Sequence, residues 1–245
     1  MLDIGPVPGS AESPAPSHNL ALRVASALVL APLAIVVAWL GDWPFVVFWS
    51  VAGMAVLWEW IMLVKGSHSA ARVRRFWITA GIGYAGCMVL APILLRADTV
   101  YGLSAMLLLF AIVWATDIFA YFAGRAIGGP KLAPAISPKK TWAGAIAGTV
   151  GAIIVAVALA GLLGQFDKGT IAVVALLLSI MAQLGDLLES SIKRRFGAKD
   201  AGHLIPGHGG VMDRLDGFWA AAVAGCLVGV LRGGFDNAAR GLLVW

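Results

Sequence analysis

Two polar stretches of this 245-residue chain gather residue types suited to handling phosphate. The first runs from Gly124 to Gly144, GRAIGGPKLAPAISPKKTWAG. Its Ser137, Lys139, Lys140 and Thr141 place hydroxyls and ammonium groups immediately before an apolar run. A helix N-terminus with free N–H groups behind two lysines makes a phosphate seat. A solvated cluster of positive charge would use the same residues without a ligand, and this stretch alone favours neither reading. The second, residues 190–217, carries Lys193, Arg194, Arg195, Lys199 and Arg214 beside Asp200, Asp213 and Asp216. Within it, Pro206-Gly207-His208-Gly209-Gly210 offers backbone N–H groups that can cradle an anion. His203 and His208 lack cysteine partners and zinc spacing, so His208 is read as a phosphate or base contact. GxxxxGK[ST], GxSxG and HExxH patterns are absent from the sequence.

Acids inside apolar segments add a second kind of chemistry. Glu59, Asp117, Asp186 and Glu189 lie within or at the ends of such segments, where an ionisable group is costly. On a helix, Asp186, Glu189, Ser190 and Lys193 share one face at i, i+3, i+4 and i+7. Carboxylates that face one another repel unless a cation sits between them. An all-oxygen donor set suits a hard ion such as Mg²⁺, which takes one or two carboxylates and completes its shell with water and substrate phosphate. Glu59 is read as a packing carboxylate paired with a nearby cation. Asp186, Asp213 and Asp216 are read as ligands.

The elements that must position these groups are membrane spans. The chain is 60% hydrophobic and 13% charged, about half the usual charged fraction of a globular chain. Its apolar runs are about twenty residues long and do not alternate with period two, so helices rather than a barrel are expected. Seven spans are counted, near 20–41, 43–64, 76–96, 101–123, 142–164, 170–188 and 215–231, and the fold expected is an all-α polytopic membrane protein of seven to nine helices. The first two touch through Gly41-Asp42 and form a tight hairpin or one irregular pair. Residues 1–19 read as a disordered tail without the basic start and apolar core of a signal peptide, and residues 20–245 as one catalytic domain. Cys87 and Cys226 read as small buried hydrophobes.

The net charge of +5 is unevenly spread. Fourteen of the eighteen Lys and Arg fall on one side of the seven-span topology; Arg96, Lys168, Arg232 and Arg240 fall on the other. The positive-inside rule then places the N-terminus and loops 65–75, 124–141 and 189–214 in the cytoplasm, at the end where the acids gather. A transporter pathway would need acids across the whole membrane, and internal repeats are not evident.

At this point the residues resemble a known family, the phosphatidate cytidylyltransferases (CDP-diacylglycerol synthases). The family signature reads S-x-hydrophobic-K-R, four residues, K-D, then H-G-G-hydrophobic-x-D-R-hydrophobic-D. Ser190, Ile192, Lys193, Arg194, Lys199, Asp200, His208, Gly209, Gly210, Val211, Asp213, Arg214, Leu215 and Asp216 match it in type and spacing. Gln183–Asp186, Ile136–Trp142, and Asp117 with Tyr121 and Gly124-Arg125 resemble further family segments; Ala143 departs from the acid that members often carry there. A CDP-alcohol phosphatidyltransferase is a second enzyme class to weigh, but its motif needs an arginine and later aspartates that the run from Asp216 lacks.

The resemblance implies transfer of CMP from CTP to phosphatidic acid, giving CDP-diacylglycerol and pyrophosphate, with Mg²⁺ and room for a second cation; the short chain and compact tail suggest a bacterial inner membrane. Asp186, Asp213, Asp216 and Lys193 are the expected catalytic residues. Asp186 and Asp213 hold the metal, with Asp216 and Asp117 assisting. Ser137, Lys139, Lys140, Thr141, Arg194, Lys199, His208, Gly209, Gly210 and Arg214 receive phosphates. Expected partners are the two substrates and the bilayer, with a second copy of the chain as a further candidate and no nucleic acid.

Overall fold

The computed structural model describes residues 16–67, 70–164, 166–202, 204 and 209–245, with side chains from residue 28 onward. Helices dominate: α1 (Pro16–Leu40), α2 (Asp42–Lys65), α3 (Ala71–Ala97), α4 (Gly102–Ala126), α5 (Trp142–Leu163), α6 (Lys168–Arg195), α7 (Met212–Gly233) and the short α8 (Ala238–Leu243). Among the described residues, α2 to α7 are the six helices long and apolar enough to cross a membrane. The first predicted span corresponds to α1, whose described apolar part is Leu28–Leu40. Since α1 begins at Pro16, residues 16–19 of the predicted tail are helical.

Two further boundaries shift. The segment read as a loop from 189 is helical to Arg195, so Glu189, Ser190 and Lys193 belong to α6. The helix ends where Gly197 takes the left-handed conformation at φ +70, and Ala198 N–H returns to the Lys193 carbonyl at 2.9 Å. Residues 131–141, read as irregular, form a two-stranded antiparallel hairpin: β1 (Lys131–Ala133) with β2 (Ser137–Thr141). The prolines and paired glycines that preclude a helix there do not preclude a short ribbon.

Outward-facing side chains are apolar, including Trp43, Val47, Val51 and Met54 on α2 and Ile146, Val150 and Ile154 on α5. Such a surface is matched to lipid, not water. Inside, α4 is the most enclosed span, with Met106, Leu109 and Ile112 fully buried.

Glycines decide which helices touch. A Cβ on Gly144 would come within 2.8 Å of the Ala120 carbonyl, and one on Gly148 within 2.7 Å of the Thr116 carbonyl. These positions, four apart, let α5 lie against α4 as small-residue seams do in membranes. Gly185 does the same between α6 and α7, where a Cβ would meet the Asp216 carbonyl at 2.6 Å. Gly217 approaches the Ala182 carbonyl from the other side at 3.2 Å. Each of these glycines is the sequence neighbour of an acid, Asp186 or Asp216. The seam that joins α6 and α7 therefore brings those two carboxylates to one place.

Candidate active site

The site sits where the ends of α4 and α6 meet the starts of α5 and α7. Its first group is built from Asp186, Asp216, Asp117 and Lys140. Lys140, at the end of the hairpin, pairs with Asp186 Oδ2, and the Ser190 hydroxyl donates to Asp186 Oδ1 at 3.3 Å. Asp216 Oδ1 accepts from the Gly217 N–H at 2.7 Å. Asp117 is exposed on α4 within electrostatic reach of Asp186, Lys140 and Arg214, and Asp216 is within reach of both Asp186 and Asp117. Three carboxylates thus share a neighbourhood that Lys140 and Arg214 only partly neutralise.

The second group lies one to two turns further along α6. Lys193 Nζ stands 2.7 Å from Glu189 Oε2 and 2.5 Å from Asp213 Oδ1. The Glu189 side chain is fully buried and that of Asp213 is 8% exposed, and the two carboxylates share this one ammonium. Asp213 Oδ2 accepts from the N–H of Ala201 at 3.0 Å and of Gly210 at 2.9 Å. Lys193 thereby joins α6 to α7, and Asp213 ties a residue within the loop between them, Ala201, to the end of that loop at Gly210.

These contacts add partners to the expected site residues. Both oxygens of Asp213, an expected metal ligand, accept from N–H donors, as both oxygens of Asp186 accept from Lys140 and Ser190. Each carboxylate oxygen has a second lone pair to offer; among the described residues no three His, Cys, Asp or Glu side chains converge as a ready-made metal cage. Thr141 is buried as the N-cap of α5, its hydroxyl accepting from Gly144 N–H at 3.1 Å, because an extended residue before a helix is the geometry that a cap requires. Gly210 N–H is turned to Asp213 instead of outward as an anion cradle. Gly209 has φ +85, and a Cβ there would lie 3.1 Å from Asp213 Oδ2. His208 and His203 lie outside the described residues.

Other predicted residues are exposed around the rim. Lys139 and Lys199 are exposed, and Ser137 is partly buried in β2. Arg194, also exposed, donates to the Ala198 carbonyl at 3.0 Å and to the Ile136 carbonyl at 3.4 Å, which ties the end of α6 to the hairpin. Arg214 is exposed beside Asp117. The two polar stretches, separated by about fifty residues of sequence, therefore form one surface through Lys140–Asp186 and Arg194–Ile136.

The cytidylyltransferase family matches residues 68–231, which span everything from α3 to α7 and both groups of charges. This chain belongs to that family. It is 39% identical over 254 aligned residues to the phosphatidate cytidylyltransferase of Brucella abortus biovar 1 (strain 9-941), an alignment covering 87% of this chain and 94% of the relative. The phosphatidate cytidylyltransferases of Rickettsia felis and Rickettsia typhi are 36% and 34% identical over 208 residues, each covering 81% of this chain and 87% of their own.

Sequence reasoning set Glu59 aside as a packing carboxylate. In the structure it is fully buried in α2 and accepts from the N–H groups of Val211 and Met212, at 3.0 and 2.8 Å, where α7 begins. An acid in the half of an apolar span nearest the polar loops was the available signal. What it bonds, the backbone of a segment 152 residues away, has no mark in sequence.

Proposed function

We propose that this chain is a phosphatidate cytidylyltransferase that transfers CMP from CTP to phosphatidic acid, releasing pyrophosphate and forming CDP-diacylglycerol. The observation that carries the reading is the juxtaposition of acids and cations at one end of the apolar bundle. Lys140, Lys193, Arg194 and Arg214 are interleaved there with Asp117, Asp186, Asp213 and Asp216, and all come from one chain.

That arrangement suits the chemistry. The nucleophile is a phosphate monoester oxygen whose second pKa is about 6, so it is already anionic near neutral pH and needs no strong base. The obstacle is bringing one polyanion onto another. Lys140, Arg194 and Arg214 face the open side, where they can receive phosphates and stabilise the leaving pyrophosphate. Asp186 and Asp216, with Asp117 beside them, offer the hard oxygen donors that fit Mg²⁺. A divalent ion there supplies charge neutralisation between triphosphate and acceptor. Lys193 and Asp213 hold the signature segment in register, so their part in catalysis is to fix Asp216 and Arg214. A polar site at the end of lipid-facing helices admits acyl chains from the bilayer and nucleotide from the aqueous side. The positive-inside bias supports a cytoplasmic site and N-terminus, and the bacterial relatives support a cell inner membrane.

The test is purified protein with labelled CTP and phosphatidate, with and without Mg²⁺, scored for lipid-linked CMP and pyrophosphate in equal amounts. Formation of both only with the divalent ion is expected. Absence of lipid-linked CMP under those conditions overturns the reading.

A further inference from the structure

We infer that Glu59 is a positioning residue of this site: from α2 it caps the N-terminus of α7 and so sets where Asp213 and Asp216 stand. The first N–H groups of a helix have no partner within it. A helix usually supplies one from the side chain of its own N-cap residue. Here the N-cap residue is Val211, which has no acceptor and makes no side-chain cap bond. Gly210 N–H is taken by Asp213 Oδ2, and Val211 and Met212 N–H by the two oxygens of Glu59. A carboxylate set against the positive end of a helix is also favoured by the helix dipole. The cap that the signature segment lacks is thus delivered from a different span.

The surroundings are shaped around this contact. Gly202, within the signature loop, and Gly210, at its end, both lie against the carboxylate; a Cβ on either would lie 2.6 Å from a Glu59 oxygen. The α2 side is held equally firmly. The neighbouring Trp60 donates its indole N–H to the Trp77 carbonyl at 2.7 Å, and its ring occupies the space left by Gly81. Tyr84 stacks on Trp219 of α7 at 4.1 Å, and the Trp219 indole N–H donates to the Tyr84 carbonyl. So α2 and α3 form a fixed base, and Glu59 is its contact with the first turn of α7. Asp213 and Asp216 lie one and four residues beyond Met212. A shift of this turn moves both.

The inference rests on the phosphatidate cytidylyltransferase reading, and its test is steady-state kinetics on Glu59→Gln, Glu59→Ala and Gly210→Ala, with kcat expressed per folded molecule from a monodisperse gel-filtration peak. Glu59→Ala is expected to lower kcat by about 10²-fold, the effect of displacing reacting groups by roughly 1 Å. Glu59→Gln retains one acceptor oxygen but turns an amide N–H₂ toward a backbone N–H, so a loss of about tenfold is expected, with KM for CTP moving less than kcat. Gly210→Ala, which leaves the carboxylate in place but drives the loop off it, is expected to show the same split. If Glu59→Ala does not fold, the other two variants decide. A kcat per folded molecule within about twofold of the unsubstituted protein in both overturns the inference. An unsubstituted protein that forms no CDP-diacylglycerol overturns the functional reading instead, so the two failures are distinct.

Discussion

The two ends of the helical bundle use their charged residues in different ways. At the end away from the signature segment, charges bind backbone. Arg96 Nε donates to the Ala38 carbonyl at 2.6 Å, closing the C-terminus of α1 where the chain reverses through Gly41 at φ +67. Asp98 accepts from the N–H groups of Val100, Tyr101 and Arg240 at 2.9 to 3.0 Å. Asp167 caps α6 by accepting from Thr170 N–H at 2.7 Å, and Arg232 donates to the Gly241 carbonyl. Each group satisfies a helix or turn terminus that hydrocarbon cannot satisfy. At the signature end, charges bind backbone too, but they also bind other charges across helices, and carboxylates accumulate beyond what Lys140 and Arg214 neutralise. A scaffold needs only the first arrangement. The second leaves room for an additional cation and for phosphate.

This contrast makes four predictions, in order of decreasing effect. Replacing Asp186 or Asp216 by Asn should lower kcat by about 10³-fold, as for the loss of one preorganised electrostatic group, with the protein still folded. Turnover close to that of the unsubstituted protein would remove the acid cluster from the chemistry and erase the contrast.

Lys193→Ala tests the inner strut. It leaves Glu189 and Asp213 without their shared ammonium, and breaking a buried pair costs about 3–5 kcal/mol. The variant should therefore lose apparent melting temperature as well as activity, and adding Glu189→Gln should recover part of the stability. Unchanged melting with a raised KM alone would instead make Lys193 a simple phosphate contact.

Arg96→Ala should be the mirror image. It exposes α1 carbonyls that have few other partners, at about 1–3 kcal/mol, while kcat per folded molecule and KM stay as they were. A change in KM for CTP would show that the two ends are coupled.

The smallest effect concerns Asp167. Its hydrogen bonds to Thr170 hold its carboxyl below the usual value of 3.8. A depressed folded-state pKa contributes stability above the unfolded value, and that stability is lost as pH falls through the folded one. Melting of Asp167→Ala should therefore lie below that of the unsubstituted protein by a constant amount at neutral pH, with the gap closing only below about pH 4. A gap that persists into stronger acid would assign the effect to something other than the charged cap.

The two ends were not equally legible in sequence. Apolar runs gave helices close to their observed positions because a ~30 Å hydrocarbon core imposes both length and internal hydrogen bonding. Asp186, Lys193, Asp213 and Asp216 stood out in sequence because acids and lysines next to apolar runs demand a reason, and the structure brings Lys193 to Asp213 and Asp216 within electrostatic reach of Asp186. Arg96 was not: counted as a stray cation on the less charged side, it proved to be the cap of α1. Thr141 was assigned to phosphate because a hydroxyl beside two lysines looks the same whether it meets a ligand or caps a helix. The end of α6 was misplaced because polarity marks where a span leaves the hydrocarbon, whereas Gly197 marks where the helix stops.

Sequence by itself determined that this chain is a helical membrane protein with most of its charged residues concentrated in the polar stretches between the spans. Hydropathy and charge are sums over local composition and need no partner to be read. Only the tertiary structure decided which carboxylate faces which amine. Lys193 reaches Asp213, Lys140 reaches Asp186, and Glu59 reaches the backbone of α7, because glycine seams set how closely the helices approach and a side chain bonds only what lies within about 3 Å of it.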